Sequence, residues 1–145
     1  MSTSILAPGA VLILWSLVIL GWVMVTRLPA LKKIGVDMST AVGGRGQNLE
    51  GVIPDRVNWK AHNYAHLMEQ PTLFYAVILI LAVAGAATPL AVALAWTYVA
   101  IRVLHSLVQA TVNRIALRFP LFLLSTLVLL GLGIIALCAT LNLHG

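Results

Sequence analysis

Across 145 residues the chain is 61% hydrophobic and 9% charged, at a mean hydropathy of +1.01; one soluble core of that size cannot hide so much apolar surface. Its formal charge of +5 comes without a soluble basic face or a stacking platform, which excludes nucleic acid as the partner and points to anionic membrane lipids. The composition describes an all-α integral membrane protein in a single domain, residues 1–145.

The first apolar run covers residues 5–25, close to the roughly 20 residues a helix needs to cross the hydrocarbon layer. No Lys or Arg precedes it, and Arg27, Lys32 and Lys33 follow it. That is the reverse of the charge order of a secretory signal, so the run is read as a retained span. Residues 28–55 turn to Pro, Gly, Asp, Asn and Ser around Gly43-Gly44-Arg45-Gly46. A phosphate cradle would need a strand before that glycine run and a helix after it; neither pattern is present, which leaves a mobile surface loop. Pro54-Asp55 opens the second span, with Asp55 as its cap. Thr88-Pro89 opens the third, Thr as cap and Pro as first helical residue, and Phe119-Pro120 marks the start of the fourth. The expected spans are about 5–27, 58–87, 89–113 and 119–143, with a cytoplasmic loop at about 28–55. A membrane barrel would show short alternating strands, and none are seen. The short turn before Pro89 makes spans two and three antiparallel neighbours.

Orientation follows from the basic residues of the connections. Arg27, Lys32, Lys33, Arg45, Arg56 and Lys60 belong to the first, Arg114 and Arg118 to the third, and residues 85–89 carry none. Connections one and three are therefore expected in the cytoplasm, and both termini on the other side. Trp59 and Tyr64 fit an interfacial belt, whereas Trp96 is read as packing. The single cysteine, Cys138, permits no intrachain disulfide and reads as a small buried hydrophobe.

Two polar stripes interrupt the apolar spans. His62, His66 and Glu69 are spaced four and three apart at the start of span two; Arg102, His105, Gln109 and Asn113 step by three, four and four along span three. At about 1.5 Å rise per residue from the turn between the spans, Glu69 lies roughly 25 Å down, Arg102 about 18 Å, His105 about 23 Å and Gln109 about 29 Å. Glu69 is thus expected level with His105 and paired with Arg102, which would lower the cost of either charge in the membrane. Such a cluster reads as interhelical glue, as a ligand site, or as a metal site through His62-x3-His66-x2-Glu69. A haem shared by His66 and His105 is disfavoured, because ideal rise sets His66 about 7 Å deeper than His105.

Asp55-Arg56-Val57, then Lys60-Ala61-His62, then Glu69-Gln70-Pro71-Thr72-Leu73-Phe74, and later Arg102-x-x-His105 followed by Arg114 appear in an order that resembles the MAPEG family, the membrane-associated proteins of eicosanoid and glutathione metabolism. The resemblance spans the whole chain. It implies a four-helix transmembrane bundle assembled as a homotrimer. It also implies glutathione bound between subunits near the cytoplasmic face, its thiol attacking or reducing a lipophilic small-molecule substrate. By the same resemblance Arg27 is the thiol-activating arginine, and Lys60, His62, His66, Glu69, Arg102, His105 and Arg114 contact glutathione. Arginines suit its carboxylates and Glu69 its ammonium, while a cationic donor near sulfur favours the thiolate. Lys60 stands where the family usually has Arg, and His66 where it usually has Asn. The expected function is a glutathione-dependent membrane transferase or peroxidase acting on hydrophobic electrophiles. The alternative is a noncatalytic member that acts as an accessory or assembly subunit of a larger membrane complex, or that binds lipid or quinone.

Overall fold

The computed structural model describes residues 3–141; positions 142 and 143 of the expected fourth span, and His144, lie outside them. A 3-10 turn, Thr3–Ile5, leads into α1 (Ala7–Lys33), and a second, Gly46–Leu49, sits in the long connection. The remaining helices are α2 (Asp55–Leu67), α3 (Gln70–Val83), α4 (Pro89–Thr111) and α5 (Ile115–Thr140). Four stretches are long and apolar enough to cross a membrane: Thr3–Lys33, Asp55–Val83, Pro89–Thr111 and Ile115–Thr140. The protein is an all-helical, integral multi-pass membrane protein, with no strand among the described residues.

Helix ends follow local chemistry, in places differently from the sequence reading. The α1 helix continues to Lys33, so Arg27 lies well inside it and not at its end. Good helix formers after Pro29, and lysines against the negative end of the dipole, sustain the last turns. Gly35 then stops it at φ +80°, with Val36 N–H donating to the Leu31 carbonyl and Gly35 N–H to that of Lys32, a Schellman closure. Asp55 does not cap α2; Pro54 holds the cap position, no side chain bonds there, and Asp55 is the first helical residue, where its charge faces the positive end of the dipole. Thr88 does cap α4, its Oγ1 accepting from the Ala91 N–H at 3.2 Å. The α5 helix starts at Ile115, not at Phe119-Pro120. Asn113, left-handed at φ 52°, makes the turn, and Pro120 lies inside α5 beyond its first turn, where it removes the donor for the Ala116 carbonyl.

The second span is not one continuous rod. It breaks at Met68–Glu69, where Glu69 has φ −91° and ψ −97°, outside the helical region. Pro71 explains the break: it has no N–H for the Leu67 carbonyl and its ring crowds that oxygen, so the chain restarts as α3 with Pro71 in the first turn.

Beyond the break, Gln70 joins three helices. Its Nε2 donates to Thr126 at 2.8 Å, and its Oε1 accepts from the Tyr98 hydroxyl at 3.1 Å and from Ser125 at 3.4 Å. Phe74 stacks on Tyr98 with ring centroids 4.4 Å apart. The buried stripe of α4 runs Ala91, Ala95, Tyr98, Val99, Arg102, His105, Ser106, Gln109. Helical period turns Trp96 away from this stripe, and at 43% exposure it is an outward residue, not a packing one. Replacing Gln70 by Leu is expected to destabilise the bundle by about 1–2 kcal/mol, read as a lower thermal midpoint in detergent with helix content preserved below it.

Candidate functional site

The break in the second span decides where the polar residues meet. Its disrupted ladder leaves the His66 carbonyl to the Glu69 N–H at 3.3 Å and to Arg102 Nη2, which donates at 3.1 Å. Arg102 is only 1% exposed, and its Nε and Nη1 have no partner. The expected Arg102–Glu69 pair is not formed. Glu69 has a side chain 68% exposed, with a carboxylate oxygen 4.0 Å from His66 Nε2. Ideal rise fails here because the chain leaves the helix at Glu69 itself, which swings its side chain outward. Both ion pairs among the described residues use histidine, so no Lys or Arg is matched with a carboxylate.

The same break corrects the predicted depth of His66. Its ring is level with that of His105, stacked at a centroid distance of 6.0 Å and an interplanar angle of 7°. The two rings line a cavity of about 170 Å³ with Ile115, Arg118, Phe119 and Phe122. Arg118 is held there by donating to Asn113 Oδ1 at 2.9 Å. The niche is thus walled by aromatic carbon, two imidazoles and one guanidinium, and a second, buried guanidinium stands behind His66. Among the described residues no three His, Cys, Asp or Glu side chains converge as metal ligands.

Arg27 and His62 lie in a different cavity. About 610 Å³ in volume, it runs between α1, α2 and residues 45–50, and it shares no lining residue with the His66–His105 niche. Arg27 Nη2 donates to Asn58 Oδ1 at 3.3 Å, and Asn58 Nδ2 donates to the Leu49 carbonyl. His62 is paired with Glu50. Lys60 stands 5.3 Å from the Trp22 ring centroid, and Arg114, exposed, precedes α5 without touching the niche. Of the residues named from the sequence, His66, Glu69, Arg102 and His105 are therefore brought together, whereas Arg27, Lys60, His62 and Arg114 are not.

Sequence reasoning assigned no site role to Arg118, whose signal was its position four residues beyond Arg114, one helical turn into α5 and toward His105. It also overlooked Asn63 and Ser106, buried and bonded at 2.7 Å, with Trp15 Nε1 donating to the same hydroxyl at 3.0 Å. These three tie α1, α2 and α4 together, which is the glue role for polar residues inside a membrane bundle.

A buried charge without a counter-charge is destabilising, and an apolar residue of similar size relieves it. Arg102→Met is accordingly expected to leave the thermal midpoint unchanged or raise it, by an amount equivalent to about 1–3 kcal/mol. A fall of similar size would show that the guanidinium serves the fold alone.

The chain matches no curated protein and no solved structure. A family model, that of the MAPEG family, matches residues 5–138. Nearly complete coverage by that model, over a chain with four apolar spans, leads to one assignment: the chain belongs to the MAPEG family.

Proposed function

We propose that the protein is a glutathione-dependent membrane transferase or peroxidase acting on hydrophobic electrophiles, with glutathione held where α2, α4 and α5 meet. The observation that carries this reading is Arg102, 1% exposed with two guanidinium nitrogens unpartnered, in a setting that supplies cations and no bonded carboxylate. Such a setting calls for an anion. Family membership, which covers glutathione transferases and related proteins, makes the tripeptide the ligand of choice.

The residues fit its groups. Arg102 suits a carboxylate, and Glu69, at the rim beside His66, suits the ammonium. Arg118, at the niche wall with His105, takes the thiol-activating role that the family resemblance implies for Arg27: a guanidinium near sulfur favours the thiolate. Bound there, glutathione supplies the sulfur nucleophile. His66, with a side chain 38% exposed, is placed to pass the thiol proton to water. Phe119 and Phe122 keep the wall opposite the histidines apolar, as a lipophilic electrophile requires.

Pockets for drug-sized ligands measure roughly 300–1,000 Å³, so a niche of about 170 Å³ seats only part of the tripeptide. We assign the rest of its wall to a second copy of the chain, in the homotrimer that the family resemblance implies. The orientation with the loop at about residues 28–55 in the cytoplasm rests on the basic connections.

Calorimetric titration of the purified protein with glutathione tests the reading. Binding is expected for the wild type and at least tenfold weaker for Arg102→Met and Glu69→Gln, each pair of charge-assisted bonds being worth about 1.5–3 kcal/mol. Arg118→Gln is expected to bind but to lose the thiolate absorbance. Absence of heat and of thiolate signal in the wild type, together with stoichiometric copurifying subunits, would instead establish the accessory-subunit role.

A further inference from the structure

We propose that the cleft between α1, α2 and residues 45–50 binds the headgroup of an anionic phospholipid, with one acyl chain laid along α1. This site is separate from the glutathione niche and does not depend on that reading. Its polar end holds two guanidiniums, Arg27 and Arg45, with Gln47, Glu50 and His62. The single carboxylate of the cleft, Glu50, is already engaged by His62. Two guanidiniums against one carboxylate leave the cleft net cationic, and Arg27 Nε is buried with no partner.

Arg27 is held in place from two sides. Asn58 accepts one of its bonds while its own amide is fixed on the Leu49 carbonyl. From the loop, Gly46 comes close to the guanidinium: a Cβ at that position would stand 3.1 Å from Nη1 and 3.5 Å from Nη2. A glycine here lets the loop close over the arginine, and a larger residue would displace it.

The other end of the cleft is apolar, lined by Leu20, Val23 and Met24. Leu17 and Ile13 continue the line of Leu20 and Met24 along α1 at helical spacing and are 56% and 50% exposed. An apolar track thus leaves the cationic end of the cleft and runs along the helix into the span. A soluble phosphate would use only the arginines; a phospholipid anion uses both the arginines and the track, which selects the lipid.

Native mass spectrometry of the detergent-purified protein, offered equal amounts of phosphatidylglycerol and phosphatidylcholine, provides the test. The wild type is expected to retain phosphatidylglycerol roughly tenfold more, the worth of one charge-assisted contact. Arg27→Gln and Gly46→Val are expected to abolish that preference, while Lys33→Gln, an exposed charge outside the cleft, keeps it. If Arg27→Gln does not fold, Arg45→Gln and Gly46→Val decide. Equal retention of the two lipids, or a preference that survives in Gly46→Val and Arg45→Gln, would overturn the proposal. So would displacement of phosphatidylglycerol by excess inorganic phosphate, which would mark a free-anion site, or by glutathione, which would move the tripeptide into this cleft.

Discussion

A proline that cannot donate and an arginine with nowhere else to donate act on neighbouring carbonyls at the end of α2, Pro71 on that of Leu67 and Arg102 on that of His66. Pro71 interrupts the second span; the interruption disturbs the ladder around His66, and Arg102 reaches across from α4 to that carbonyl. Inside a bilayer an unsatisfied backbone oxygen costs several kcal/mol, and so does a guanidinium without a partner. Each offsets part of the other. The bond also fixes which faces of α2 and α4 meet, and from it follow the stacking of His66 on His105 and the position of Glu69 at the rim.

One bond does not satisfy a guanidinium that can make five. Arg102 has two idle nitrogens, where Asn63 and Gln109, also buried, each have one idle amide oxygen. Gln70 is used on both its amide atoms by Thr126, Tyr98 and Ser125, and Ser106 is shared by Trp15 and Asn63. Those groups are consumed by helix–helix contacts. Charge separates Arg102 from these residues: an idle guanidinium calls for an anion, which the idle neutral amide oxygens of Asn63 and Gln109 do not.

The long first connection has a structural part that its glycine content conceals. Gly46 packs on Arg27, Leu49 receives Asn58, and Glu50 meets His62. Residues 45–50 thus form one wall of a cleft with charge at one end and hydrocarbon at the other, a polarity suited to a headgroup and its chain at a membrane interface. The arrangement places Arg27 in a cavity of its own and leaves Arg118 as the arginine beside the histidine pair.

Much was legible from residue types alone. Long apolar runs in water have no stable alternative to a membrane, so four spans and an all-helical class followed from hydropathy. The Thr88-Pro89 start of α4 followed from the local fit of a hydroxyl cap and a proline φ. The buried stripe of α4 followed from a 3.6-residue period, which survives because that helix is unbroken. What the sequence could not supply was the direction of the chain after Met68. A proline announces a lost bond but not whether the helix bends, restarts or rotates, and a single off-helical residue there moved Glu69 outward and brought His66 level with His105. The pairing of Arg102 with a backbone oxygen in place of a carboxylate, and the separation of Arg27 from the histidine niche, were likewise decided in three dimensions. Helix faces are written in the order of the residues, but which unsatisfied groups meet depends on how the helices break and cross.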